Sequence, residues 1–336
     1  MRRVPEDGRI AARSLIVALL FVTCAFAQSD PLPSWNDGLA KQAILQFVRD
    51  TTDSSSPRFV PPGQRIAAFD QDGTTWVEQP IYPQWVFAVD QVKKLAAKNP
   101  KLAAAKSFKA VASGNWAAIA ALTSNDLERI LVAAHTGVTV EQFQAIVKDW
   151  IATAKHPRFN RPYTDLVYQP MLEVMSLLRA NGYKTYFVTG GEQDFVRAYS
   201  EQVYGVPVEQ VVGSAGETKY GYAPNGKAIL KKLPKVMLVD NGAGKAEGIN
   251  LMIGRRPTVA FGNSGGDQQM LEYTQGGEGA RLMLLVHHDD AVREYAYGAE
   301  SKVGTFSDAL MDEAKQRGWI VVSMKNDWNR IFAFDP

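Results

Sequence analysis

Cysteine is almost missing from this chain of 336 residues: the only one is Cys24. A chain so poor in thiols closes no internal disulfide and builds no thiolate metal site. Without its first 27 residues it has no cysteine nucleophile either, and a thiol-free protein suits an oxidising compartment. Histidine is scarce too, with four residues. No apolar run reaches the ~20 residues that cross a bilayer comfortably. Charge excess is also lacking, because the first 27 residues hold four arginines and two acids, and the remainder carries acids and bases in equal number. Such a balance does not call for a nucleic acid or an anionic membrane as partner. What is present is ordinary for a globular protein, 46% apolar and 21% charged residues, enough to bury a substantial core.

The leading segment has a different character. Arg2, Arg3, Arg9 and Arg13 precede an apolar run from Leu15 to Ala27 that ends Ala25-Phe26-Ala27, the pattern of a secretory signal with a small-residue cleavage site. Residues 1–27 are therefore expected to be a signal peptide, the mature chain to start near Gln28, and the protein to be exported to a bacterial periplasm or the medium, with no stable membrane insertion after cleavage. Cys24 as a lipid-attachment site is disfavoured by Thr23 before it and reads as a chance cysteine.

Short apolar runs recur at Ile66–Phe69, Thr185–Val188, Val236–Val239, Thr258–Phe261, Leu282–Val286 and Trp319–Val322, with helical patterns such as Met171–Ala180 and Asp194–Tyr204 between most of them. Strands alternating with helices predict an α/β fold with a doubly wound parallel sheet. Residues 77–163 break the alternation with Ala-, Lys- and Leu-rich helical spacing, and Thr139 is a good N-cap. The expected organisation is a core of residues 28–76 and 164–336, with a four-helix cap at 77–163 inserted after the first strand. Gly213–Leu230 reads as a β-hairpin excursion.

Four loops carry the chemistry. Phe69-Asp70-Gln71-Asp72-Gly73-Thr74 brings two carboxylates, two residues apart, into one small space at the end of a buried strand. Two such acids repel unless a cation joins them, and Mg²⁺ does so with oxygen ligands while keeping positions for phosphate. One carboxylate can attack phosphorus, and the other can protonate the leaving oxygen and then activate water. Alone, Asp-x-Asp-Gly is equally a calcium or turn loop. Val188-Thr189-Gly190-Gly191 adds a hydroxyl and free backbone N–H groups suited to a phosphate oxygen. Asp240-Asn241-Gly242-Ala243-Gly244-Lys245 offers a lysine on a glycine-rich loop, and Gly262-Asn263-Ser264-Gly265-Gly266-Asp267 offers further oxygen ligands. Parallel sheets gather such loops at the strand C-termini.

In this order, over roughly residues 65–275, the four loops resemble the motifs of the haloacid dehalogenase superfamily, in particular its phosphoserine-phosphatase-like branch with a helical cap on a Rossmann-like core. The resemblance implies that Asp70 is the nucleophile and Asp72 the acid/base, whose backbone carbonyl also reaches Mg²⁺. It makes Thr189 with Gly190 the phosphate-binding loop, Lys245 the charge stabiliser that also contacts phosphate, and Asp70, Asp72, Asn263 and Asp267 the metal site. The implied activity is a Mg²⁺-dependent phosphomonoesterase acting on a small phosphate ester through an aspartyl-phosphate. The acid at Asp72 sets the chain apart from dehalogenases, which lack it. A phosphotransferase uses the same residues, and a degenerate binding protein is the rival from another class. The departure is Asn263, where the family commonly has aspartate, so the metal should be held less tightly. Glu78 is a candidate substrate contact, with a hinge salt bridge as the alternative. His287-His288-Asp289-Asp290 is not expected to bind metal, since adjacent side chains at a strand end diverge. His135 and His156 read as packing residues, and Trp76 and Trp85 as packing or lining ones.

Overall fold

The computed structural model describes residues 30–114, 118 and 121–335, so the expected leader lies outside the described residues. β1 (Ile66–Phe69) is buried along its whole length. Parallel partners flank it on both sides, β2 (Lys184–Glu192) on one and β5 (Val259–Gly262) on the other. A four-residue strand of Ile, Ala, Ala and Phe suits this place, because a strand covered on both faces has no use for alternation. Small Ala67 and Ala68 let helices approach, and Phe69 stacks on Phe261 with ring centroids 4.5 Å apart.

The seven-stranded order is β4-β3-β2-β1-β5-β6-β7, with β3 (Val211–Tyr222), β4 (Ala228–Leu238), β6 (Leu282–His287) and β7 (Ile320–Ser323). All pairs are parallel except β3 with β4. The chain winds outward from β1 in both directions, so the strand order reverses at β1 and leaves a crevice beyond its C-terminal end. This is the doubly wound sheet anticipated from the alternation. Helices α1 (Leu39–Thr52), α6 (Gln169–Ala180), α7 (Ala243–Gly248), α8 (Gln268–Gln275) and α9 (Asp308–Arg317) belong to this part of the chain.

Between β1 and β2 run α2 (Pro83–Lys98), a single turn at Pro100–Ala103, α3 (Lys106–Ala112), α4 (Ser124–His135) and α5 (Val140–Ile151). Thr123 and Thr139 each close a reciprocal capping box with the third helical residue, satisfying two orphan donors at each helix start. The insert has an apolar cluster of its own, including Val89, Val92, Phe108, Val111 and Ile130. Phe87 and Trp150 join it to the main core through edge contacts with each other and contacts with Phe195.

Three sequence expectations need correction. Val236–Val239 was expected to be a buried parallel strand, but Val236 is 55% exposed and the run ends the antiparallel arm β4. The parallel neighbour of β2 is the start of β3 at Val211–Gly213. The hairpin is thus longer than Gly213–Leu230, and its return arm is tied to the insert rather than buried in the sheet: Gly137 N–H donates to Lys232 O and Lys232 N–H to Val138 O. Asp194–Tyr204 is two short helices, Gln193–Arg197 and Ser200–Tyr204, in place of one.

Candidate active site

Asp70 follows directly on β1, its amide donating to Phe261 O at 2.9 Å. Its carboxylate meets the Lys245 ammonium, which lies 2.6 Å from Asp70 Oδ1, 2.5 Å from Asp267 Oδ1 and 2.8 Å from Val188 O. The other three predicted loops thus converge on the ammonium of the fourth, which is 2% exposed. Burial works against that charge, yet Asp267, Asp70 and Asp240 together raise its pKa. Burial, with Asp267 alongside, pushes the Asp70 carboxyl up against the pull of Lys245.

Asp72 is half-buried and lies on the same cavity as Asp70. Trp76 Nε1–H donates to its Oδ1 at 2.6 Å. Burial pushes the carboxyl up to about 6, although Trp76 and Lys245 both pull it down. A carboxyl in that range can give and take a proton near neutrality. The turn between the two acids and the insert depends on Gly73, at φ 73°, where an added Cβ would lie 2.1 Å from Asn263 Nδ2. His288 holds the turn from behind: its Nε2 is 2.7 Å from Gly73 O and its Nδ1 3.2 Å from Glu294 Oε2. The histidine set aside as a metal ligand is therefore a buried prop, while Asp289 accepts from Ser323 and Lys325 N–H.

Thr189 is buried, and its hydroxyl accepts from Gly191 N–H at 3.0 Å; Gly190 and Gly191 themselves line the cavity. Asn263 is buried as well, its Oδ1 accepting from the Thr74 hydroxyl and its Nδ2 donating to Glu78 Oε1 at 2.7 Å. Tyr297 OH donates to the same Glu78 oxygen at 2.6 Å. In place of the hinge salt bridge, Glu78 thus has an amide and a phenol as partners, and burial pushes its carboxyl up to about 8. Asp267 uses Oδ2 to accept from the backbone N–H groups of Asn263 and Ser264.

The cavity has a volume of about 490 Å³ and takes in Tyr82, Gln84, Trp85, Asn241 and Ser264 besides the acids. Sequence reasoning left Tyr82 and Gln84 unremarked and gave Asn241 no role of its own. Asn241 belongs to a predicted site loop; Tyr82 and Gln84 reach the cavity only through the geometry of the insert.

The donor set suits a divalent cation. Asp70, Asp72, Glu78, Asp240 and Asp267 lie in and just behind one site with a single lysine among them, and the carboxyls of Asp70, Asp72, Glu78 and Asp240 are all pushed upward. Surplus buried negative charge of this kind is relieved by a hard cation with oxygen ligands. Among the described residues no three His, Cys, Asp or Glu side chains already form a metal cluster; the expected set of Asp70, the Asp72 carbonyl, Asn263 and Asp267 has only two carboxylate side chains and does not require one.

The haloacid dehalogenase-like hydrolase model matches residues 67–272, more than half of the chain. No curated protein sequence matches the chain. Among solved structures, a functionally unknown protein from Anaerococcus prevotii DSM 20548 is similar at a TM-score of 0.54 with 14% identity, over 83% of this chain and 88% of that one. A protein of unknown function from Bordetella pertussis Tohama I gives 0.48 and 17%, over 77% and 98%. A substrate-bound phosphoserine phosphatase gives 0.38 and 16%, over 79% and 94%. With four motif loops in order on a doubly wound sheet and the family model spanning them all, this chain belongs to the haloacid dehalogenase-like hydrolases.

Proposed function

We propose that the protein is an exported, Mg²⁺-dependent phosphomonoesterase that works through an aspartyl-phosphate on Asp70. The observation that carries this reading is the placement of Asp70 and Asp72 on one cavity, with Lys245 2.6 Å from the first and a carboxyl pushed up to about 6 on the second. The Asp70 oxygen attacks phosphorus and the P–O bond to the alcohol breaks. Asp72 delivers its proton to the departing oxygen. Asp72, now a carboxylate, takes a proton from water as the water oxygen bonds to phosphorus and the P–O bond to Asp70 breaks, releasing phosphate. Trp76 leaves one oxygen of Asp72 for this traffic and orients the other.

Lys245 pulls Asp70 toward its ionised form and aims it, and the backbone at Gly190 and Gly191 receives phosphoryl oxygens, donors already in place before charge develops. Asp70, the Asp72 carbonyl and Asn263 or Asp267 would hold the metal. Bound there, Mg²⁺ neutralises the phosphoryl oxygens and the attacking carboxylate. The helical insert serves as a cap that limits access to small esters. Export rests on the leader pattern of residues 1–27.

Phosphate release from p-nitrophenyl phosphate, with Mg²⁺ and with EDTA, tests the reading in wild type and Asp70→Asn. Turnover that needs both Mg²⁺ and Asp70 supports it. No Asp70-dependent turnover across a broad phosphomonoester panel overturns it in favour of a binding protein.

A further inference from the structure

A second cavity, of about 290 Å³, lies beside the catalytic one. The two share Gln84, Leu131, Gly190 and Val239 as walls, so a ligand whose phosphate sits at Asp70 has the second space next to it. Its chemistry is different. Val132, Ala215, Leu233, Pro234 and Val236 line it beyond the shared wall. Val236 and Val239 stay 55% and 61% exposed, apolar surface left open beside a polar reaction centre.

Its polar groups are already committed. Lys232 Nζ lies 2.6 Å from both Glu192 and Asp194 and 4.6 Å from the centre of the Phe143 ring. Gln84 accepts from Glu192 N–H at 2.8 Å and faces His135 Nε2 at 3.1 Å. His135 is held neutral, since burial pushes it down to about 4. Arg197 lies 3.5 Å from Asp194, so that it and Lys232 balance the two acids, and Lys235, the other cation on the wall, lies 3.0 Å from Glu217. An anionic leaving group meets cations that are already paired, and an uncharged apolar one gains by covering the valines.

We propose that this second cavity is the leaving-group subsite, and that the preferred substrates are monoesters of apolar alkyl or aryl alcohols. This rests on the phosphatase reading, and two measurements separate them. In the first, kcat/KM is measured for monoalkyl phosphates from methyl to hexyl. It rises with chain length in wild type, by up to about fourfold for each methylene that enters. In Val236→Asp the hexyl-to-methyl ratio falls at least tenfold. Turnover of methyl phosphate with no gain on lengthening overturns the subsite and leaves the phosphatase standing.

In the second, methyl- and hexylphosphonate, which cannot be hydrolysed, are titrated calorimetrically into both proteins. Tighter binding of the hexyl compound to wild type, lost in Val236→Asp, supports the subsite even if no ester turns over and the phosphatase reading fails. Equal affinity for both compounds overturns it.

Discussion

Asp240→Asn probes the electrostatics of the site from behind. Asp240 is fully buried, and apart from a weak pull from the Thr189 backbone amide neither carboxylate oxygen has a hydrogen-bond partner. Its Oδ1 lies 2.3 Å from where a Cβ on Gly248 would be, so water has little room. Burial, partly offset by Lys245, pushes the carboxyl from 3.8 up to about 7. A raised native value means that the folded state binds the proton more tightly than the unfolded chain. The associated stability is fully present below about 4 and is lost as pH rises through 7. From pH 5 to 7 the loss is about 3 kcal/mol, at 1.36 kcal/mol per unit. Asparagine has nearly the same shape and does not titrate, so the constant cost of its amide cancels when two pH values are compared. Urea unfolding in EDTA at pH 5 and pH 8 should show the variant gaining on wild type by about 3 kcal/mol between them, an order-of-magnitude figure. A difference that does not change between the two pH values would refute this and make Asp240 a permanently ionised partner of Lys245.

Two further outcomes follow from the turn after β1. Glu78→Gln removes a carboxyl 2.7 Å from Asn263 that burial pushes up to about 8, so Mg²⁺ affinity measured by calorimetry at pH 9, where the wild-type group is charged, should drop roughly tenfold or more, the usual scale for a partner behind a metal ligand; unchanged affinity at that pH would mean that the metal does not sense Glu78. Gly73→Ala puts a Cβ at φ 73° against Asn263 and Glu78, and thermal unfolding should show a loss of about 2 kcal/mol or more from the left-handed backbone and the clash, with wild-type stability as the contrary result.

The core was largely readable because buried parallel strands announce themselves. Ile66–Phe69 and Leu282–His287 are apolar on both faces, ending where polar loops begin. That Asp70, Asp72 and Lys245 share one cavity was readable for the same reason, since a loop after a buried strand has only one crevice to enter. Val236–Val239 misled because an apolar run does not say whether anything covers it, and this one is held by a backbone ladder at the sheet edge. Glu78, Tyr297 and His288 meet across more than 200 residues of chain. No local pattern encodes such a meeting. Asn263 illustrates the limit best: its lost charge was visible as a departure from the family pattern, but the carboxylate that stands beside it was not.

The backbone link between residues 137–138 and Lys232 has a mechanical consequence. An insert joined to its core by two covalent crossings can turn about the line through them like a door on hinges. This one is also tied to the β3–β4 arm by two main-chain hydrogen bonds and the bridge between Thr139 and Lys231. Those bonds resist such a rotation. Any widening of the entrance must either break those bonds or carry the β3–β4 arm along, so insert and arm move as one stiff piece whose flexure is set where the arm leaves the sheet, at Gly213–Gly216.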